Sequence, residues 1–382
     1  MNRTPLALAL VALLFSVSVN AREDDDCPSD AQMIASMSMA ELRQYEAALE
    51  NPELPFDEVC KDASDQDEAD AAGSRLHYCV KRTAPYSSHN PDTGQTETAT
   101  VTLYGYVSLP RNGQTWMHRV RVVFDAVQGN AMSGLVVVPE LYCGSCTDRQ
   151  PFAPLTLSGP GTFDFAVPLG FDTDEGKTGQ DTQLVLSRFN NDQSLIQSSA
   201  PTLRCDKVAR SSTSGCRFAD YPAVFEVSLS DPDTDESAEH IKVAQSTLPG
   251  TIGRWHENPD ARGVPGCTVD TAGNIGYWHH DAWLRGAALT RTSDARLNTA
   301  NRTAAGKLCR TRFPESAGAG LNCDEYPFAA TNQGASVVPE SSMSVRYILG
   351  EGNQKVGRRL GNFFCTAARV LDGEQFRVKV VE

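Results

Sequence analysis

Between residues 76 and 217, apolar side chains recur at every second position in short runs. Val101, Leu103, Val107 and Leu109 form one run. Val120, Val122, Phe124 and Ala126 form another, set against Arg119, Arg121 and Asp125. A period of two is that of a strand with one face turned to a core. Leu135 to Val138 is apolar without interruption, which predicts a strand buried on both faces. Leu155-Thr156-Leu157, Phe163 to Val167 and Leu184-Val185-Leu186 follow, separated by Gly, Pro, Asn and Asp clusters. Short strands punctuated by turn residues predict an all-β, sandwich-like module. Tyr104, Tyr106 and Trp116 are read as packing or ordinary surface aromatics rather than a ligand platform.

The pattern changes near residue 218. Ala223, Phe225, Val227 and Leu229 predict one more strand. Asp231-Pro232-Asp233-Thr234-Asp235 opens like a calcium loop, but Glu236 and Lys242 stand where that loop needs Gly and a bidentate Glu. A turn leading into a helix over about 237–246 fits better, because acids favour a helix N-terminus. Ser293-Asp294 can cap a second helix, with Leu297, Ala304 and Leu308 inward and Arg296, Arg302 and Lys307 on its polar face. Ahead of the β module, residues 22–75 are acidic, with a short helix expected at 39–49. The stretch 57–70 holds seven acids and one lysine, which reads as a solvated linker. The expected organisation is therefore a leader at 1–21, an acidic segment at 22–75, a β module at 76–217 and a smaller α+β domain at 218–382.

The leader follows from Arg3, the apolar stretch Leu6 to Val17 and the small-residue end Val19-Asn20-Ala21, an export-signal pattern that implies secretion. No later stretch is long and apolar enough to predict a membrane span. All 11 cysteines lie downstream of the leader, and an oxidising compartment makes disulfides the default. From Cys205 onward the half-cystine candidates are Cys205, Cys216, Cys267, Cys309, Cys323 and Cys365. Cys143-Gly144-Ser145-Cys146 lacks a surrounding βαβ pattern and reads as structural rather than redox-active. The net charge of −14 hides an asymmetry: residues 22–239 carry −19 and residues 240–382 carry +4. Only the second part would tolerate a polyanion. Its most basic window, 285–312, holds Arg291, Arg296, Arg302 and Lys307, the candidates for sequence-independent phosphate contact.

The string Asn322-Cys323-Asp324-Glu325-Tyr326-Pro327-Phe328-Ala329-Ala330-Thr331 carries the candidate chemistry. Pro327 disfavours helix at Tyr326, so the string is read as extended. Neighbouring strand residues point to opposite faces, so Asp324 and Glu325 should do different jobs. One would face a cleft, and the other would orient it or hold a basic residue. Against this stands the plain reading of an Asp-Glu pair as surface charge. His279-His280-Asp281 and the Trp255-His256 segment are read as loops. No Gly-x-Ser-x-Gly elbow or His-Glu-x-x-His pair occurs, so serine-hydrolase and zinc-protease readings lack their motifs.

Cys323-Asp324-Glu325-Tyr326-Pro327-Phe328-Ala329 resembles the signature of the secreted NucA/NucB-type deoxyribonucleases. Glu239-His240-Ile241 with Ala244 is similar to that family's early helix. Gly266 to Asp270 is similar to its strand entry, and Asn301-Arg302 with Ala305 and Cys309 to its basic helix. Asn353 with Gly357 and Leu360 is similar to its asparagine-bearing segment, and Arg369 to Phe376 to its closing hairpin. The resemblance covers about 218–382. It implies a ββα-metal core and a sequence-non-specific endonuclease acting on DNA, with RNA left open. It also implies a divalent cation, magnesium or manganese before calcium. On this reading Asp324 is the general base, while Glu325 orients it or supports the metal. Asn353 is the metal ligand, and Glu351 is an alternative ligand. The chain departs from the family at Gly352, where relatives carry an acid, and at Val356, where some carry Gln. These departures sustain a second reading, a secreted binding or adhesion protein with a degenerate nuclease-like domain. On the nuclease reading the β module would be an accessory part for stability, regulation or a cell-surface or extracellular-matrix ligand.

Overall fold

In a computed structural model of the chain, the described residues are 54–61, 72–248 and 288–382, with breaks at 148–149, 173–174, 190, 208–213, 222 and 317–319, and the single positions 37, 63 and 253. The leader, the helix expected at 39–49, Cys267, the 266–270 strand entry, His256 and His279-His280-Asp281 lie outside them. The architecture is α+β and mostly sheet. No helix among the described residues is long and apolar enough to cross a membrane.

The first strands are β1 (Ala72–Gly73), β2 (His77–His89), β3 (Thr96–Ser108), β4 (Thr115–Gln128), β5 (Val136–Cys143), β6 (Leu155–Thr156) and β7 (Thr162–Gly170). They are followed by β8 (Glu175–Thr178), β9 (Gln180–Arg188), β10 (Asn191–Ser199), β11 (Leu203–Asp206) and β12 (Gly215–Phe218). They build three sheets, ordered β1-β2-β3-β4-β7, β10-β9-β5-β6 and β12-β11-β8. The alternation read from sequence is what makes their shared core: Val101, Leu103, Val120 and Val122 of the first sheet meet Val137, Leu184 and Leu186 of the second. Tyr106 and Trp116 are buried, so packing accounts for them.

Three local expectations fail. Ala126 is exposed with φ 49°, because a bulge in the β3–β4 register breaks the alternation there. Val136 to Val138 alternate in burial instead of being covered on both faces. The acidic segment is not all solvated linker either. Phe56–Val59 forms a one-turn helix, α1, whose Phe56 ring packs edge-on to Tyr104 and Tyr106, and Cys60 is disulfide-bonded to Cys79 of β2.

The C-terminal elements are β13 (Ala223–Ser228), α2 (Asp235–Thr247), β14 (Leu289–Thr290) and α3 (Ala295–Arg312). Beyond them come β15 (Leu321–Tyr326), β16 (Ser344–Leu349), α4 (Gly350–Asn362) and β17 (Gln375–Val381). β17 lies between β13, which it parallels, and β14. The closing segment is thus not a hairpin: Asp372-Gly373 turns the chain directly into the central strand. β15 and β16 form an antiparallel pair with Asp324 opposite Arg346, and α4 follows at once. Gly350 permits that junction, since a Cβ there would sit 3.0 Å from Gly320 O.

The two sets of sheets meet across a buried ionic interface. Arg369 and Asp206, both 0 % exposed, pair at 2.6 Å. Arg75 and Arg204 each donate to Glu374 at 2.7 Å. Arg217 donates to the carbonyls of Thr366 and Ala367, which end the π-helical turn after α4. A cation at a helix C-terminus satisfies orphan carbonyls and the negative dipole end.

Candidate functional site

Asp294 caps α3 through its side chain, accepting from Arg296 N and Leu297 N as expected. The buried face of α3 is Asn301, Ala305, Leu308 and Cys309, so Ala305 takes the place expected of Ala304. The helix phase is set by Asn301, whose Nδ2 donates to Ala329 O and Thr331 O and whose Oδ1 accepts from Ser336. Gly334 makes room for this amide, because a Cβ there would lie 2.2 Å from Asn301 Nδ2. A disulfide joins Cys309 to Cys323, clamping α3 to β15. Cys205 and Cys216 pair with each other, Cys143 pairs with Cys146, and Cys365 is also disulfide-bonded.

On the other side of β15, α4 is held from α2 and the turn before it. Arg359 pairs with Asp231 at 2.7 Å, Lys355 pairs with Asp233, and Glu236 accepts from Leu349 N at 2.6 Å. The acids that resembled a calcium loop are therefore fasteners for α4. Ala238, Ile241 and Ala244 of α2 join Phe225, Tyr326, Val356 and Leu360 in the second core.

Between α3 and α4, with β15 as its floor, lies a cleft of about 560 Å³. Asn298, Arg302, Gly306 and Arg310 line it from α3 at intervals of four, one helix face. Asn353, Val356, Gly357 and Leu360 line it from α4, and Asp324 and Glu325 from the floor. The two acids do point to different neighbours. Asp324, 4 % exposed, lies with Oδ2 2.8 Å from His240 Nδ1 on α2. Glu325 accepts from Ala329 N at 3.3 Å and feels Arg302 on α3. Burial, and then the charge of Asp324, push the Glu325 carboxyl up to about 7, against the pull of Ala329 N–H and Arg302. Asn353 donates through Nδ2 to Cys323 O at 3.1 Å, which leaves its Oδ1 as the amide's acceptor.

The other candidates separate. Arg302 lines the cleft, whereas Arg296 and Lys307 are exposed and lie off it. Arg291 lines it too, but not as a free phosphate clamp. It is 6 % exposed, donates to Val370 O and lies over the Phe364 ring at 5.1 Å. Glu351 does not reach the cleft: it is exposed, 3.8 Å from Lys355 one turn along. Two residues were missed. Arg310 would have been found by projecting the basic window on a helix, since it falls eight residues after Arg302. His240 stood only in the early-helix resemblance, and nothing local signalled its role, because its partner lies 84 residues away.

The donor set suits a hard divalent cation. Among the described residues no three His, Cys, Asp or Glu side chains converge as a metal site. A cation would rely on Glu325 and Asn353 oxygens and on water, the arrangement magnesium favours over zinc. A carboxyl lifted to about 7 by burial and a neighbouring acid is also one whose charge a cation would relieve.

No curated protein and no solved structure matches the chain. Residues 279–379 match the family model Deoxyribonuclease NucA/NucB. The signature string, α3, the β15–β16 pair and α4 all fall inside that match, and so residues 279–379 are the region of this chain that carries the likeness to the deoxyribonuclease NucA/NucB family.

Proposed function

We propose that the chain is an exported, sequence-non-specific endonuclease that hydrolyses phosphodiester bonds of DNA with a divalent cation held by Glu325 and Asn353. The observation that carries the reading is the shared cleft. It gathers Asp324 and Glu325, Asn353 and Arg302 from three places in the sequence, with acids on the floor and arginines on one wall. Arg302 and Arg310 bind backbone phosphates, contacts that carry no base information. Asp324 acts as general base: its Oδ2 is held by His240, and its Oδ1 takes a proton from the water whose oxygen attacks phosphorus. Asn353, oriented by Cys323 O, and Glu325 hold the cation. When bound, such an ion stabilises charge on the scissile phosphate and the leaving oxygen. Four disulfides among the described residues support an oxidising, extracellular setting for the mature chain.

The test is incubation of the full-length protein with supercoiled and linear plasmid in magnesium or manganese, with and without chelator, beside Asp324→Ala. Cation-dependent degradation of both forms is expected, with at least a 100-fold loss in the variant. Undiminished cutting by Asp324→Ala removes that residue as the base. A parent that fails to cut with every cation tested supports instead the binding-protein reading, which the missing acid at Gly352 favours.

A further inference from the structure

Behind the cleft floor, α2 presents a buried imidazole that the reaction described above does not touch. His240 is 2 % exposed and is not among the residues lining the cleft. Its Nδ1 lies 2.8 Å from Asp324 Oδ2 and its Nε2 lies 2.9 Å from Ser344 Oγ. An ionised carboxylate only accepts, so Nδ1 carries a proton and donates it to Asp324. Ser344 stands opposite Tyr326 in the β15–β16 pair, hence on the same face as Asp324, and meets the far nitrogen.

We propose that His240 is a positioning residue: clamped between Asp324 and Ser344, it fixes the Asp324 carboxylate so that one oxygen is turned to substrate water. The proposal rests on the nuclease reading and adds to it a residue outside the matched family region, which begins at 279. The order of the groups excludes the opposite assignment. Asp324 lines the cleft and His240 does not, so the acid rather than the ring is the group placed to take a proton from water there. Packing alone does not account for the ring. Its α2 neighbours Ala238, Ile241 and Ala244 enter an apolar core, and an apolar residue at 240 would leave both Asp324 Oδ2 and Ser344 Oγ without this partner. A carboxylate free to rotate would reach the reacting water in only some of its rotamers, and small losses of alignment cost rate rather than affinity.

Two amide replacements in the full-length protein separate this role from a merely structural one. His240→Asn places an N–H near the Nδ1 position, and His240→Gln places one near Nε2, retaining Ser344 but not Asp324. Both are polar and of similar bulk. Steady-state cleavage of linear duplex DNA, with melting temperature measured in parallel, should show His240→Gln losing about 10–100-fold in kcat with KM within about twofold of the parent. His240→Asn should keep most of kcat at a similar melting temperature. Equal kcat in the two variants, whether both retained or both lost, overturns the proposal. So does a loss in His240→Gln carried by KM. A parent inactive with every cation overturns the nuclease reading itself, a result distinct from any of these.

Discussion

Glu325 shows at the scale of one residue how a site can work against the fold that carries it. Its carboxyl is raised to about 7 by burial and by Asp324, so the folded protein favours the protonated form. The stability this contributes is full below the unfolded value near 4.5 and is lost as pH rises through about 7. Without added divalent cation, Glu325→Gln should therefore melt a few degrees above the parent at pH 8 and level with it at pH 4. Cleavage should fall by at least 100-fold. A variant melting below the parent at pH 8 would show that the charge is already compensated. The acidic pair was legible because Pro327 marks the segment as extended and strand geometry divides two neighbours between faces. Arg291 and Glu351 were not, since a basic or acidic letter does not say whether a side chain is spent on Val370 O or on Lys355.

Among the elements, α3 decides which positive charges matter. Its start was readable from the cap at Asp294. Its rotation was not, because Asn301, a polar residue, is the one turned inward. With that phase, Arg302 and Arg310 face the cleft and Arg296 and Lys307 do not. Each phosphate contact contributes about 0.9 to the slope of log affinity against log salt. In filter binding with chelator present, Arg302→Ala and Arg310→Ala should each lower that slope by about 0.5–1, while Arg296→Ala and Lys307→Ala should change it by less than about 0.3. Equal effects from all four would mean that DNA lies across the outer face of the helix instead.

Taken whole, the molecule joins the acidic β sheets to the nuclease-family domain through buried charge, where the charge asymmetry suggested two parts with separate jobs. Arg217 caps the turn after α4, the helix that bears Asn353. The segment at 371–374 links Arg75 and Arg204 to Arg291 in the cleft, because Glu374 O accepts from Arg291 N and Arg291 O accepts from Gly373 N. Asp206→Ala would leave Arg369 buried without its carboxylate and should cost roughly 3–5 kcal/mol, read as a lower denaturant midpoint. A change under about 1 kcal/mol would make the interface dispensable. Glu374 adds an acid limit. Burial alone would raise its carboxyl, but Arg75 and Arg204 hold it below its ordinary 4.5, so its contribution is present above that value and lost as pH falls through the folded one. Unfolding on acidification below about pH 4.5 should be less steep in Glu374→Gln.

Local period, turn residues and the Cys-Asp-Glu-Tyr-Pro-Phe string determined, from sequence alone, the β-rich first part, the helix starts and the acids on the cleft floor. Each of these depends on side chains within a few positions of one another. Only the tertiary structure decided that His240 backs Asp324 and that Arg217 and Asp206 brace the nuclease-family domain. Those contacts pair residues scores of positions apart, where a side chain's burial and partner are set by how elements pack and no local pattern encodes them.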